Sequence, residues 1–159
     1  MESNLDCLKG AYQEMAKEHN LPEFDLLNED FAIEKIADSE TDFLIREVRK
    51  CISEKFSVYL RLIEGFLHPV NSPMFVYNLV KNFSIKDKEN LVSIYKKLAK
   101  KEVDLIELDL FFDEKKESTF IIDSFKLWAG IKEELLNLIK SINKNWDNKL
   151  ETNGKNYFG

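Results

Sequence analysis

Apolar residues recur every three or four positions along most of this chain, which is the spacing of one buried face of an α-helix. Polar residues mark where such segments begin, as Ser3 and Asp6 do with the spacing of a helix capping pair. Proline marks a boundary too, because the residue before Pro69 is disfavoured in helical geometry. The pattern predicts short helical segments over 3–20, 23–37 and 73–82, and long helices over 40–68, 87–112 and 114–146.

These segments predict an all-α protein, a single-domain helical bundle of five to seven helices, with the three long helices packed largely antiparallel. A length of 159 residues suits one domain. We expect the bundle to cover residues 1–147. Residues 148–159 are polar and contain Gly154, so we expect a flexible C-terminal tail, although Tyr157 and Phe158 offer apolar groups for docking.

The segment from Val103 to Ile122 admits a second interpretation. Its apolar and acidic residues partly alternate, and a charged stretch over 113–117 separates them from the β-branched residues of 119–122. Such a pattern is also compatible with a β-hairpin. We therefore keep two alternatives for 103–122, helix throughout or a hairpin.

Several charges fall on helical faces that are otherwise apolar. Arg49 lies beside apolar residues of the first long helix, Glu102 and Asp109 lie on the inward face of the second, and Lys132 lies in the apolar seam of the third. An unpaired buried charge costs several kcal/mol, so these groups must pair, reach the boundary or surround a wet cleft. We predict a polar interior made of these four residues, with Arg49 within hydrogen-bonding reach of Glu102 or Asp109.

The predicted last helix carries both tryptophans, Trp128 and Trp146, in one apolar seam with Ile139. We therefore expect both indoles to be buried. A helix over 114–146 is about 50 Å long, whereas a compact domain of this length is about 40 Å across. The apolar end of such a helix would need a cover, which favours a homodimer formed through it.

Composition narrows the classes of partner. The chain has 23 basic and 29 acidic residues and a net charge of −6, so nucleic-acid binding by bulk electrostatics is disfavoured. The longest apolar runs are far shorter than the ~20 residues of a membrane span, and the N-terminal MESNLDCLKG lacks the apolar core of a secretory signal. We expect a cytoplasmic protein with protein partners and no membrane association, and we expect Cys7 and Cys51 to be ordinary buried thiols.

Few residues form the patterns typical of phosphate-binding, metal-binding or nucleophilic sites. The five glycines are isolated, so no phosphate-binding loop is predicted. Glu64 and His68 stand four residues apart, but two ligands make no metal site. Cys51 falls on a buried arc, which favours packing over nucleophilic catalysis. We expect no cofactor and no metal, and an enzyme is the less favoured class.

One short stretch resembles a known family. Arg61-Leu62-Ile63-Glu64-Gly65-Phe66-Leu67-His68 has the spacing of the R-x(4-6)-H motif of HEPN domains. The resemblance implies an all-α module of similar length, often a dimeric ribonuclease, in which Arg61 and His68 would act on the RNA backbone. Leu62 departs from the pattern, because the family usually has a polar residue directly after the arginine.

Two functions follow from these observations. The first is a non-catalytic protein–protein interaction or scaffold module, which agrees with the scarcity of catalytic patterns. The alternative is an HEPN-like RNA-processing module acting through Arg61 and His68. Dispersed, exposed side chains at these two positions would favour the first.

Overall fold

The computed structural model describes residue 1 and residues 3–156, with side chains as far as residue 146. Two short 3-10 helices, Ile33–Asp38 and Pro69–Asn71, accompany six α-helices. The α-helices are α1 (Asn4–His19), α2 (Phe24–Phe31), α3 (Leu44–Leu67), α4 (Met74–Val80), α5 (Ile85–Leu110) and α6 (Glu114–Asn156). None of these described residues lies in a β-strand, which confirms the predicted all-α helical bundle.

Reciprocal pairs of polar residues set the starts of two helices, and the pair at α1 was predicted. At α1, the Asp6 N–H donates to the Ser3 hydroxyl, and the Ser3 N–H donates to the Asp6 carboxylate. At α5, Ser84 and Asp87 form the same reciprocal pair, with distances of 2.9 and 3.0 Å. Each pair satisfies backbone donors that the first turn of a helix leaves unbonded.

The hairpin alternative for 103–122 is wrong. Residues up to Leu110 belong to α5, residues from Glu114 belong to α6, and a short connection joins the two helices. Leu105 and Leu108 are buried three residues apart, which is the spacing of a helical face and not of a strand.

The C-terminal boundary differs from the prediction. We expected the last helix to end near Trp146, whereas α6 extends to Asn156. The predicted flexible tail over 148–159 concerns residues whose side chains lie outside the described part of the chain, and 157–159 lie outside it entirely. That expectation stays a prediction.

The chain divides by contact density into two units. Unit 1 comprises Met1–Val58 and Leu98–Trp128, and unit 2 comprises Tyr59–Lys97 and Ala129–Gly159. The helices α3, α5 and α6 therefore each contribute to both units.

Unit 1 has an aromatic core. The rings of Phe31, Phe56 and Trp128 lie with centroids 5.9 to 6.2 Å apart in tilted and edge-on arrangements, which aromatic pairs prefer. Around them, α3 and α5 run antiparallel, because Arg49 contacts Asp109 whereas the later Ser57 contacts the earlier Glu102.

Unit 2 is built on the remaining halves of the long helices, with buried side chains at Ile63, Leu91, Ile94, Ile131 and Leu138. Here α5 and α6 run antiparallel, since Lys97 pairs with Glu134 and Asp87 accepts a hydrogen bond from Ser141. Phe83 anchors the connection after α4 by packing edge-on against Phe66, with centroids 5.5 Å apart.

The two tryptophans differ in burial. Trp128 is buried, as predicted, but Trp146 is 36% exposed, so the prediction of its burial is wrong. The cause is the orientation of α6 in unit 2, where Ile131 and Leu138 are buried and Ile139 is exposed. Residue 139 is 100° around the helix from residue 138, and Trp146 shares the face of Ile139.

This difference predicts the fluorescence of single-tryptophan variants. Trp146→Phe leaves only Trp128, whose emission should be blue-shifted and poorly quenched by iodide, because its indole is buried among aromatic rings. Trp128→Phe leaves only Trp146, whose emission should be redder and readily quenched. Equal quenching of the two indoles would contradict the orientation of α6, and circular dichroism of both variants is the control for folding.

Candidate functional site

The most constrained polar group of unit 1 is the guanidinium of Arg49 on α3. Its Nε and Nη2 donate to the two carboxylate oxygens of Glu117, at 2.8 and 3.2 Å, and its Nη1 donates to Asp109 at 2.9 Å. Arg49 and Glu117 are buried, whereas the Asp109 side chain is 60% exposed. One guanidinium on α3 thus bonds to α5 and α6 together.

Local structure favours both charges of this buried pair. Glu117 lies in the first turn of α6, where the helix dipole stabilises a carboxylate. Burial by itself would lower the pKa of Arg49, but the hydrogen bonds and charge of Glu117, followed by those of Asp109, outweigh it and raise that pKa. Arg49 therefore stays charged, and its planar fork matches the carboxylate in a bidentate pair.

The sequence-predicted polar interior is present in part. The contact predicted between Arg49 and Asp109 is formed. Glu102 does not reach Arg49, because it instead accepts a hydrogen bond of 2.8 Å from the Ser57 hydroxyl. Lys132 does not belong to this interior: it is exposed and lies in unit 2, one position beyond the buried Ile131.

Sequence reasoning missed Glu117, which is the more buried partner of Arg49. A signal for it existed, since Glu117 precedes Ile121 by four residues and Trp128 by eleven, which are close to one and three helical turns. The acidic run around residue 113 instead suggested a loop. Extending the seam of α6 backwards from Ile121 would have placed a carboxylate opposite Arg49.

Arg49, Asp109 and Glu117 together form what we call the Arg49 cluster, and its guanidinium is not accessible to a ligand. Its guanidinium makes three hydrogen bonds to carboxylates and is buried, so a substrate would have to displace an internal ion pair to reach it. We assign Arg49 and Glu117 a structural role.

The two residues of the HEPN-like motif lie on the surface of unit 2. Arg61 is on α3, His68 directly follows it, and both are exposed. Neither side chain forms an ion pair or hydrogen bond with another residue in the described part of the chain. Cys51 is buried, as predicted, and burial raises its thiol pKa to about 11, which disfavours the nucleophilic thiolate. Cys7 is exposed, so the prediction of its burial is wrong.

A groove of about 360 Å³ lies between α5 and α6 in unit 1. Its apolar floor includes Phe120, whose ring centroid is 4.9 Å from the Lys101 ammonium. Burial lowers the pKa of Lys101. The walls carry three lysines and three acids, namely Lys101, Lys115, Lys116, Asp104, Glu107 and Asp123. Because these charges balance, the groove selects neither anions nor cations.

A different kind of surface lies on α4 in unit 2. Val70 is 90% exposed, Met74 79% and Phe75 64%, and Tyr77 is also exposed. On α4 the exposed residues occupy one face, and Val76, Leu79 and Val80 on the other face are half-buried. The 3-10 helix that contains Val70 packs against α4. We call these four exposed residues, Val70, Met74, Phe75 and Tyr77, the α4 surface.

No protein-family model, curated protein or solved structure matches this chain. The resemblance to HEPN domains therefore depends on the spacing of Arg61 and His68 alone. Within the described residues, no helix is both long and apolar enough to cross a membrane, and no three His, Cys, Asp or Glu side chains group in a way that could hold a metal ion.

The Arg49 cluster generates a prediction about stability. Arg49→Met leaves Glu117 buried without its partner and should cost about 3 to 5 kcal/mol of unfolding free energy. Glu117→Leu should cost less, because Arg49 keeps its bond to Asp109. The double variant should recover most of the loss caused by Arg49→Met, because it leaves neither of the paired charges in the interior. Urea denaturation followed by circular dichroism measures the difference.

Arg61→Met on the same helix is the matched control. Since Arg61 is exposed, this substitution should change stability by less than about 0.5 kcal/mol. An Arg49→Met protein as stable as the control would contradict the ion pair, and so would a double variant no more stable than Arg49→Met.

Proposed function

We propose that this protein is a non-catalytic protein-interaction module and that the α4 surface is its docking face. The exposure of Val70, Met74 and Phe75 carries this proposal. Burying such a side chain is worth about 1.5 to 3 kcal/mol, which the isolated chain forgoes at each position. Single exposed apolar residues are ordinary, but a group on one helix face is typical of an interaction site.

The residue types on the α4 surface support a protein partner. Methionine and aromatic residues are enriched in protein–protein interfaces relative to the remaining surface. Methionine also adapts its shape to a partner, because its side chain is unbranched and polarizable. The other face of α4 is half-buried, so the helix presents these groups from a packed base.

The free cysteines support a cytoplasmic location, where thiols stay reduced. The HEPN-like alternative ranks second. Its support is the spacing of Arg61 and His68 alone, because exposed side chains at these two positions favour the interaction module.

Replacing Met74 and Phe75 by serine should abolish binding without unfolding the protein. Both side chains are exposed, so stability should change by no more than about 0.5 kcal/mol. A random peptide library selected on the natural protein should yield peptides that the double variant does not bind. Fluorescence anisotropy with the selected peptides measures the loss.

The matched control is Val103→Ser with Ile106→Ser, which removes two exposed apolar side chains from α5 in unit 1. This control should bind the selected peptides as the natural protein does. A library that yields no peptide sensitive to Met74 and Phe75 would contradict the proposal.

We also propose that the protein forms a homodimer through α6, as the length of this helix suggested. The exposed side chains of Leu136, Ile139 and Trp146 support this association. Light scattering at micromolar concentration should give twice the chain mass, and Ile139→Ser should shift the mass towards the monomer. A monomer at every concentration tested would exclude this interface.

A further inference from the structure

The α4 surface lies in the longest part of the chain without a carboxylate. Residues 65–86 contain no Asp or Glu, whereas the whole chain has 29 in 159 residues, so an even spread would place about four there. The same stretch contains Lys81, Lys86 and His68. The stretch of sequence that contains the exposed apolar helix of this acidic protein thus carries only neutral and basic side chains.

Two acids bound this stretch: Glu64, which precedes it, is exposed, and Asp87, which follows it, is turned inward. Asp87 is buried, and its carboxylate accepts hydrogen bonds from the Ser84 N–H at 2.9 Å and the Ser141 hydroxyl at 3.1 Å. It lies in the first turn of α5, where the helix dipole also offsets its charge. Its negative charge is therefore compensated within unit 2.

The lysines of this stretch are available for a partner. The Lys81 ammonium lies 4.4 Å from the centroid of the Tyr77 ring, which places a positive charge at the edge of the α4 surface. Lys81 and Lys86 are exposed, and neither forms an ion pair with another described residue. By contrast, Lys97 in the same unit is paired with Glu134 at 2.9 Å.

We propose that the α4 surface binds an acidic amphipathic segment of another protein. Apolar side chains of that segment would pack on Met74, Phe75 and Tyr77, and its carboxylates would face Lys81 and Lys86. This inference rests on the proposed interaction function and names the chemistry of the partner.

The charges beside the α4 surface favour an acidic protein segment over two other possible occupants, a second copy of the chain and an anionic membrane. A second copy presenting the same face would place Lys81 and Lys86 against identical lysines, which is repulsive. An anionic membrane surface is usually recognised by clusters of about four to eight basic residues, more than this stretch supplies. An acidic protein segment needs only a few local charges beside an apolar contact.

Three synthetic amphipathic peptides test the inference. They share leucine and phenylalanine at one helical face and carry glutamate, glutamine or lysine at all other positions. Fluorescence anisotropy should show the glutamate peptide binding about tenfold more tightly than the glutamine peptide at about 150 mM NaCl, with the lysine peptide weakest. The difference should shrink at about 500 mM NaCl, where the charges are screened.

Reversing the charges of two lysines tests whether they cause the preference for the glutamate peptide. Lys81→Glu with Lys86→Glu should invert the order of the glutamate and lysine peptides. Lys17→Glu with Lys126→Glu, which makes the same change in net charge at exposed sites in unit 1, should leave the order intact. Met74→Ser with Phe75→Ser should weaken all three peptides.

The outcomes separate this inference from the proposed function. Equal binding of the glutamate and glutamine peptides, lost on substitution of Met74 and Phe75, overturns the acidic partner and keeps the interaction function. Failure of all three peptides, or glutamate-peptide binding that does not depend on the α4 surface, overturns the inference. Binding to phosphatidylserine vesicles, but not to phosphatidylcholine vesicles or to the peptides, assigns the surface to a membrane and overturns it as well.

Discussion

The buried ion pair of Arg49 and Glu117 is the constraint on which the arrangement of unit 1 depends. It joins α3 to the first turn of α6, and Asp109 adds α5 to the same guanidinium. Apolar contacts tolerate small shifts of one helix along another, whereas a bidentate pair at 2.8 and 3.2 Å does not. A buried pair contributes little net stability against an apolar replacement, but losing one partner is costly. Its value here is register, because a slip of one residue would leave a charge unpaired.

Much of this fold could be predicted from the sequence, and the reasons are local. The Ser3–Asp6 and Ser84–Asp87 pairs mark the starts of α1 and α5 by chemistry within four residues. The Arg49–Asp109 contact could be anticipated because a charge on an apolar arc must find an opposite charge on the arc that faces it. The sequence alone therefore predicts that these helices form and that the charge of Arg49 needs an opposite charge as its partner.

The parts that could not be predicted depend on how a helix is rotated against its neighbours. A difference of one position turns a side chain by 100°, which is enough to expose Trp146 and Lys132 while burying Leu138 and Ile131. Lys132 and Trp146 fit one seven-residue repeat, and Ile131 and Leu138 fit another. Periodicity alone therefore does not show which of the two pairs is buried. Glu117 was missed for a different reason, since periodicity places it on the seam of α6 but its acidic neighbours suggested a loop.

For the proposed binding of an acidic segment, the charge close to the α4 surface matters more than the net charge of the protein. At physiological ionic strength charges are screened beyond about 8 Å, so a bound segment responds to Lys81 and its immediate surroundings and hardly to distant acids. The net charge of −6 still acts at long range, where it slows the approach of an acidic partner in dilute salt. Because screening removes this repulsion before it removes contacts within a few ångströms, binding of an acidic segment should be strongest at intermediate ionic strength. That dependence would distinguish a local basic surface from a generally cationic one, whose affinity falls steadily as salt is added.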